Sequence, residues 1–328
     1  MSSQETRSPA RDLGLLDATM VGMGAMIGAG IFALTGLAAE TAGPAAILVF
    51  ALNGIVTSFT ALSYAELASA IPKSGGGYAF VNEVFNDFVS FLMGWMLWFA
   101  YMIAGALYAL GFAPNFLELL HVYGIVAPPE QVGAIALPVV DAAIPLGFAL
   151  ALAAVALFVG LNAVSTAASG SVETIFTATK VTILVVFVGF GFASPMFSTA
   201  EFQPLFPEGS GAFAILPAMG LTFIAFEGYD LITTVTEEVK NPRENIPKAI
   251  FVSLAATVLV YMAVVTVAIG TLGAEGLAAA GEAGIAAAAT AFMPTGIPII
   301  MNGGAVIVFG AVFSTLTALN AVVIASSR

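Results

Sequence analysis

Four glycines lie close together in the first apolar segment: Gly22, Gly24, Gly28 and Gly30. Each glycine inside a helix costs about 1 kcal/mol relative to alanine, so a continuous helix is weakened here. In lipid, broken backbone is tolerated only where it is buried in protein or lines a cavity. One interpretation is close packing of small residues against a neighbouring helix. The other is an unwound section whose free N–H groups bind an anion such as a carboxylate. The G-x-G-x-x-x-G spacing excludes a nucleotide-binding loop.

A second interruption lies in the sixth apolar segment, where Glu227, Gly228 and Asp230 follow a run of apolar residues. A charged side chain at mid-membrane costs about 2.5–3.5 kcal/mol on insertion scales, and such residues are usually functional or face water. The alternative is that the two acids cap the second half of a broken helix. Paired interruptions in the first and sixth segments point to the binding site of a secondary transporter.

Lys180 lies about ten residues into the fifth apolar segment. A lysine near a helix end reaches the interface with its long side chain, but this one is placed too deep. A buried ammonium changes its protonation state readily, so this position is suited to binding and releasing a proton.

Other chemistry is poorly represented in the sequence. There is no cysteine and one histidine, which excludes disulfides and thiolate metal sites and leaves no nucleophile–base arrangement. We therefore expect no enzyme activity, no metal site, no cofactor and no nucleic-acid partner. His121 is expected to be solvated in an external loop. The aromatic residues of the third segment are interpreted as packing or interface anchors: Trp95, Trp98, Tyr101 and Tyr108.

The elements that must position these residues are membrane helices. The chain has 328 residues, of which 60% are hydrophobic and 9% charged, whereas about a quarter of the residues are charged in a soluble domain. About 20 apolar residues are needed to cross the hydrocarbon core, and eight segments qualify. The sequence therefore predicts an all-α membrane protein in a lipid bilayer, with residues 277–293 as an external helix or loop. The eight segments are 13–39, 44–71, 84–112, 143–163, 171–194, 211–235, 248–272 and 299–325.

Lysine and arginine predict the orientation. With a cytoplasmic N-terminus, seven of the eight basic residues lie on the cytoplasmic side, and the eighth is Lys180. The predicted external loops carry acids and no basic residue. We therefore expect a multi-pass protein of the cell membrane with its N-terminus inside. The seven basic residues are Arg7, Arg11, Lys73, Lys240, Arg243, Lys248 and Arg328. The external acids are Glu118, Glu130, Asp141, Glu201, Glu208, Glu275 and Glu282.

Four motifs resemble the amino acid–polyamine–organocation transporter superfamily. GAMIGAGIF at 24–32 is similar to its first-helix signature, and YAELASAIPKSGGGY at 64–78 to the motif joining helices two and three. FIAFEGYD at 223–230, followed by EEVKNPRENIP, is similar to the sixth helix and its loop. TALNA at 317–321 resembles the eighth helix. The resemblance runs from about residue 12 to the last residue.

This resemblance implies a leucine-transporter-type fold of five plus five helices in inverted repeat. It also implies a permease for amino acids or related amines that works by alternating access. Backbone N–H groups of the first break would bind the substrate carboxylate, and backbone carbonyls of the second would bind the ammonium, beneath Phe226 as an aromatic gate. The carboxylate residues would be Met26, Ile27, Gly28, Ala29 and Gly30. The ammonium residues would be Ile224, Ala225 and Phe226.

In proton-coupled members of the superfamily, a lysine at the position of Lys180 takes the place of a sodium ion between helices one, five and eight. The resemblance therefore implies a proton as the coupling ion, with sodium less favoured. Lys180 would bond first-helix carbonyls near Gly22 and Met23, together with a hydroxyl group. The candidate hydroxyls are those of Ser314, Thr315 and Thr317.

Glu227 departs from the apolar residue that is commoner in the superfamily. It either attracts a cationic side chain or amine, or is paired or protonated. Glu66 recurs in the second-helix motif and is expected to brace the cytoplasmic gate. The remaining residues to which we assign gating or structural roles are Gly22, Gly24, Gly228 and Asp230.

The superfamily's core has ten helices, and eight are found here. We therefore divide the chain into a cytoplasmic tail (1–12), a first repeat (13–205) and an incomplete second repeat (206–328). We expect either that the chain is an inactive truncated fragment, or that a separately encoded polypeptide or a second copy of the chain supplies the remaining helices. A membrane receptor or sensor that binds amino acids without transporting them is the main alternative, and a channel or structural subunit is another.

Overall fold

The computed structural model describes residues 13–127, 133–137, 142–164, 166–207, 209–293 and 302–327. Several sequence predictions fall outside these residues. They are the tail 1–12 with Arg7 and Arg11, the acids Glu130, Asp141 and Glu208, residues 299–301 and Arg328.

Eleven α-helices account for most of the described residues, and short 3-10 segments connect or interrupt them. The first five helices are α1 (Leu15–Met26), α2 (Ala29–Ala42), α3 (Ala46–Ala70), α4 (Gly76–Val84) and α5 (Asp87–Val122). The next three are α6 (Leu146–Val164), α7 (Thr166–Ala193) and α8 (Ile215–Thr222). The last three are α9 (Pro242–Ala280), α10 (Gly284–Phe292) and α11 (Gly303–Ser326).

Seven helical runs in the described part are long and apolar enough to cross a membrane, and α1 is an additional, shorter apolar helix. One run, Ala29–Ala70, contains both α2 and α3, which a 3-10 turn at Gly43–Ala45 separates. When α1 and α2 are taken as two halves of one broken segment, all eight predicted segments are present. The predicted all-α membrane architecture is confirmed.

Two segments differ from the sequence prediction, and a third decides between two alternatives that the prediction left open. Helix α5 continues through Pro114 to Val122, so His121 lies on its last turn rather than in a loop, with Nδ1 3.2 Å from Val126 O. The strands β1 (Ala134–Leu137) and β2 (Ala142–Pro145) form an antiparallel hairpin that was not predicted. The region 277–293 is helical: α9 bends at Gly273, where φ is 74°, and α10 follows.

Helix starts and ends follow from local sequence. Asn86 caps α5 by accepting a hydrogen bond from Val89 N (3.1 Å), and Asn302 caps α11 by accepting one from Ala305 N (2.8 Å). Helix α3 ends one residue before Ile71, which precedes Pro72 and has a non-helical ψ of 78°.

Two buried clusters position the broken segments. The first is centred on Phe50, Phe226 and Tyr261 and joins α1, α2, α3, α7 and α9. The second includes Tyr108 and Phe158 and joins α5, α6 and α11. Helix α1 contacts α7, α9 and α11, so side chains from all three surround its C-terminal end.

Candidate functional site

The first segment breaks between α1 and α2. Ile27 leaves helical geometry with ψ 63°, and Gly28 is also non-helical, with φ −89° and ψ −148°. Ile27 is fully buried. The predicted interruption is therefore present, and it lies inside the protein, as broken backbone in a membrane requires.

Side chains from two other helices bond the carbonyl groups of this break. Tyr261 Oη on α9 donates toward Met26 O at 2.6 Å. On α11, Ser314 Oγ contacts the carbonyls of Ile27 and Gly28, the second at 3.0 Å. These carbonyls lack helical partners, so each contact replaces a bond that a continuous helix would have made.

The amide groups of the break are only partly free. Ile27 N donates to Met23 O and Gly28 N to Met26 O, both at 2.8 Å. By contrast, the first N–H groups of α2 have no partner within the helix, and no side chain caps this N-terminus. Of the five residues implied for carboxylate binding, Ala29 and Gly30 are therefore the best placed to offer N–H donors.

The second break follows α8. A 3-10 turn covers Phe223–Phe226, Glu227 is extended, and Gly228 has a φ of 120°, which favours glycine. A second 3-10 segment, Asp230–Glu238, follows. Glu227 N donates to Ile224 O at 3.3 Å, so this carbonyl, one of three implied for ammonium binding, already accepts a bond.

The two breaks touch each other. A Cβ on Gly30 would lie 2.6 Å from Ala225 Cβ, and one on Gly228 would lie 2.7 Å from Ala25 Cβ. Both glycines are therefore required for close approach of the two backbones. Tyr261 Oη also lies 3.0 Å from Ala225 O, so one buried hydroxyl bridges a carbonyl of each break.

Phe226 is fully buried. Its ring packs against Phe50 at 6.0 Å between centroids and edge-on against Tyr261 at 5.3 Å. This aromatic cluster supports the second break. The gating role of Phe226 remains a prediction.

Two acids and two tyrosines lie beside the second break. Asp230 accepts hydrogen bonds from Gly228 N (3.2 Å) and from Tyr101 Oη (3.3 Å). Glu227 is exposed. Tyr108 Cε1 lies 3.4 Å from the position of a Cβ on Gly28, so this tyrosine contacts the first break.

Lys180 is fully buried between α1, α7 and α11. Its Nζ donates to Gly24 O at 2.6 Å and to Thr317 Oγ1 at 2.5 Å. The carbonyl is that of Gly24, the residue after Met23 in α1, and the hydroxyl is among the three expected.

The structure also places the remaining predicted residues. Gly22 allows α1 to approach Ile232, and Gly24 allows it to approach Glu173 on α7. Glu66 is exposed on α3, and it takes part in neither of the two ion pairs found among the described residues. Its proposed bracing of a gate therefore stays a prediction.

Several residues at the breaks could not be identified from the sequence motifs. Tyr261 and Glu173 were not singled out, and Tyr101 and Tyr108 were interpreted as packing residues. Each is a polar side chain within an apolar segment. Buried polar groups need hydrogen-bond partners. A polar residue within an apolar segment is therefore the sequence feature that could have identified these four residues.

Comparison with known proteins supports one family. The family described as "Amino acid permease" matches residues 13–328. The branched-chain amino acid permease of Bacillus subtilis is 33% identical over 270 residues, and the methylthioribose transporter of the same organism is 32% identical over 272 residues. The Asc-type amino acid transporter 1 of Mus musculus is 31% identical over 261 residues.

These alignments cover most of the chain but only part of each relative. They span 81%, 82% and 76% of this chain and 56%, 57% and 46% of the respective relatives. The chain thus matches about half the length of the proteins it resembles.

Proposed function

The chain belongs to the amino acid permease family, and on that premise we propose that it takes part in carrying amino acids or related amines across the cell membrane. The observation that carries this proposal is the direct contact of the two helix breaks, which Tyr261 bridges. Contacting breaks place backbone donors and acceptors of both segments in one region, within an otherwise apolar bundle.

The two breaks provide complementary chemistry for a zwitterion. The N-terminus of α2 presents the amides of Ala29 and Gly30, and a helix N-terminus favours a carboxylate. The second break presents backbone carbonyls, which favour an ammonium group. Ala225 O already contacts Tyr261, but a carbonyl oxygen has two lone pairs and can accept a second bond.

We propose a proton rather than sodium as the coupling ion. The Lys180 ammonium donates hydrogen bonds to Gly24 O on α1 and to Thr317 on α11. This ammonium occupies the place between the helices where a sodium ion would otherwise bind. Loss of its proton removes a charge that strengthens both hydrogen bonds. The contact between α1 and α11 would then weaken, which links protonation to the movement that alternating access requires.

The orientation is proposed from the basic residues. Leu13 pairs with the segment just before α9, through Leu13 N to Glu238 O at 3.0 Å and Lys240 N to Leu13 O at 2.8 Å. Glu237 N donates to Ser74 Oγ at 3.0 Å. These contacts gather Leu13, the first described residue, and the basic loops at one end of the bundle, which we propose is cytoplasmic.

Glu227 is proposed to favour cationic substrates. Its carboxylate is exposed beside the second break, where it could attract a second positive charge on the substrate. The test is competition by arginine or lysine against labelled uptake, in the wild type and in Glu227→Gln. An unchanged ranking of competitors would contradict this role.

The transport proposal is tested in liposomes that contain the purified chain. Labelled amino acid should accumulate when the outside is made acidic, and an inward sodium gradient alone should have no effect. Uptake that follows sodium and ignores the pH gradient would exclude proton coupling. Saturable binding without counter-flow would instead support an amino-acid receptor.

A further inference from the structure

Glu173 is a buried acid to which the proposed transport cycle assigns no role. Its side chain is 2% exposed, and Asn320 Nδ2 donates to its Oε2 at 3.1 Å. Oε1 has no hydrogen-bond partner among the described residues. Burying an ionised oxygen without a partner is costly, so this atom requires an explanation.

Glu173 and Lys180 occupy the same face of α7. They are seven residues apart, about two helical turns, and both lie against Gly24 of α1. Lys180 Nζ donates to Gly24 O at 2.6 Å, and Glu173 Oε1 lies 2.3 Å from the position that a Cβ on Gly24 would occupy. Glycine at this position is what leaves room for the carboxyl group.

Thr177 lies between the two groups along α7. Its Oγ1 also has no described partner, and it lies 2.6 Å from the same Cβ position on Gly24. Across the interface, α11 places Thr317 beside Lys180 and Asn320 beside Glu173. The acid and the amine are therefore held by the same two helices, α1 and α11.

Few other charges reach this site. In the described residues, α6, α10 and α11 carry no charged side chain, and Asp17 on α1 accepts a bond from Gly14 N at the helix start. Tyr261 on α9 is bonded to the two breaks. The charged residues of α9 lie toward its ends, at Arg243, Glu244, Lys248 and Glu275.

We propose that Glu173 is a second proton-binding residue of the Lys180 site, so that the site holds its proton either on the amine or on the carboxyl group. Among the described residues no ion pair joins the two groups. The proton therefore leaves the amine as an Nζ–H bond of the ammonium breaks, and an O–H bond forms on Glu173 when the carboxyl group takes it up. The products are a neutral amine and a neutral acid. Two buried charges thereby become neutral, which lowers their desolvation cost. This inference rests on the proposed role of Lys180 in proton coupling.

The test is infrared spectroscopy of the purified full chain without substrate, as a function of pH. Carbon-13 labelling of glutamate separates a glutamic acid band from that of any aspartic acid. The wild type should show the C=O band of a buried glutamic acid that disappears as the pH rises. Glu173→Gln should lack this band, whereas the control Glu40→Gln, at the exposed end of α2, should keep it.

A structural role alone would not link this band to Lys180. In Lys180→Met, the band should persist to a proton concentration about tenfold lower or more, because loss of a nearby opposite charge makes ionisation of the carboxyl group less favourable. A wild type without the band at every pH would overturn the proposal. So would a band that survives in Glu173→Gln, or an unchanged midpoint in Lys180→Met. If Glu173→Gln does not fold, the infrared titrations of the labelled wild type and of Lys180→Met still test the proposal.

This measurement is independent of transport. A titrating Glu173 in a protein that shows no proton-driven uptake would count against the proposed function and leave this inference intact. Proton-driven uptake without a titrating Glu173 would support the proposed function and overturn this inference.

Discussion

The two helix breaks are stabilised in different ways. The first receives side-chain donors from three helices: Lys180 on α7, Tyr261 on α9 and Ser314 on α11. The second receives side-chain donors from two helices, Tyr261 on α9 to Ala225 O and Tyr101 on α5 to Asp230, and Asp230 in turn accepts a bond from Gly228 N of the same segment. The first break is thus held by side chains of other helices, whereas the second also carries a side-chain acceptor of its own.

The breaks also differ in exposure. Ile27 in the first is fully buried, whereas Glu227 in the second is exposed. A buried break fixed from several helices is suited to a constant feature of all substrates, such as the carboxylate. An exposed acidic side chain at the second break is suited to discrimination among substrates. Substitutions that disturb the first break, or its contact with the second, should therefore affect stability most.

The largest effect is expected from Gly228→Ala. Its φ is 120°, and a Cβ would lie 2.9 Å from Met26 N in the first break. Strain at positive φ costs about 1–2 kcal/mol, and overpacking adds about 1–3 kcal/mol. The apparent melting temperature in detergent should fall sharply. Gly124 also has a positive φ, but a Cβ there would have no atom within 4 Å. Gly124→Ala should therefore show only the loss of stability from backbone strain.

Gly30→Ala tests the contact between the breaks without backbone strain. A Cβ here would lie 2.8 Å from Ala225 Cα, and backbone cannot move aside cheaply. We expect a loss of about 1–3 kcal/mol and weaker substrate binding, both measured by thermal shift. The control is Gly105→Ala, whose Cβ would lie 3.4 Å from Val322. Equal stability of the two variants would show that the breaks can separate freely.

Tyr261→Phe removes the bridge between the breaks and keeps the ring. Met26 O and Ala225 O would lose their shared donor, at a cost of about 1–3 kcal/mol for buried groups left unsatisfied. The apparent melting temperature should fall, and amino-acid binding should weaken. Tyr78→Phe, at an exposed tyrosine, should change neither. A fully stable Tyr261→Phe would contradict the account of a bridged site.

Ser314→Ala should have a smaller effect, because it removes one neutral hydroxyl from the first break. The expected loss is about 1 kcal/mol, again measured by thermal unfolding in detergent. Ser69→Ala removes an equivalent bond to Glu66 O on the exposed part of α3 and should be nearly neutral. A larger loss of stability in Ser69→Ala than in Ser314→Ala would contradict the expectation that the buried hydroxyl contributes more than the exposed one.

Glu227→Gln should change stability least, within about 0.5 kcal/mol, because the side chain is exposed. Its effect should be on selectivity, measured as the ratio of binding constants for a cationic and a neutral amino acid. A drop in melting temperature comparable to that of Gly30→Ala would show that Glu227 supports the fold instead.

The membrane architecture could be predicted from the sequence because long apolar runs and clustered glycines are local signals. Gly28 and Gly228 marked the two breaks within a few residues of their positions in the structure. The extent of α5 could not be predicted, because Pro114 normally interrupts the helical pattern. The sequences of β1 and β2 show no alternation of apolar and polar residues, so these strands could not be predicted.

The partners of the break residues were harder to predict because they are distant in sequence. Tyr261 lies 235 residues from Met26 and 36 from Ala225, and no periodic pattern links such positions. Lys180 was recognisable as a buried charge, whereas its carbonyl partner depends on how α1 is placed against α7. The place of Glu173 at the Lys180 site also depends on the packing of α7 against α1, because its Oε1 lies against Gly24.

The central claim is that the two breaks form one site for an amino acid zwitterion. The most direct measurement compares the amino acid that binds best in a thermal-shift screen with its methyl ester and with its analogue lacking the amino group. The account predicts that both analogues lose most of the affinity, because each removes the group that one break would bind. Equal affinity for either analogue would contradict a site made from both breaks.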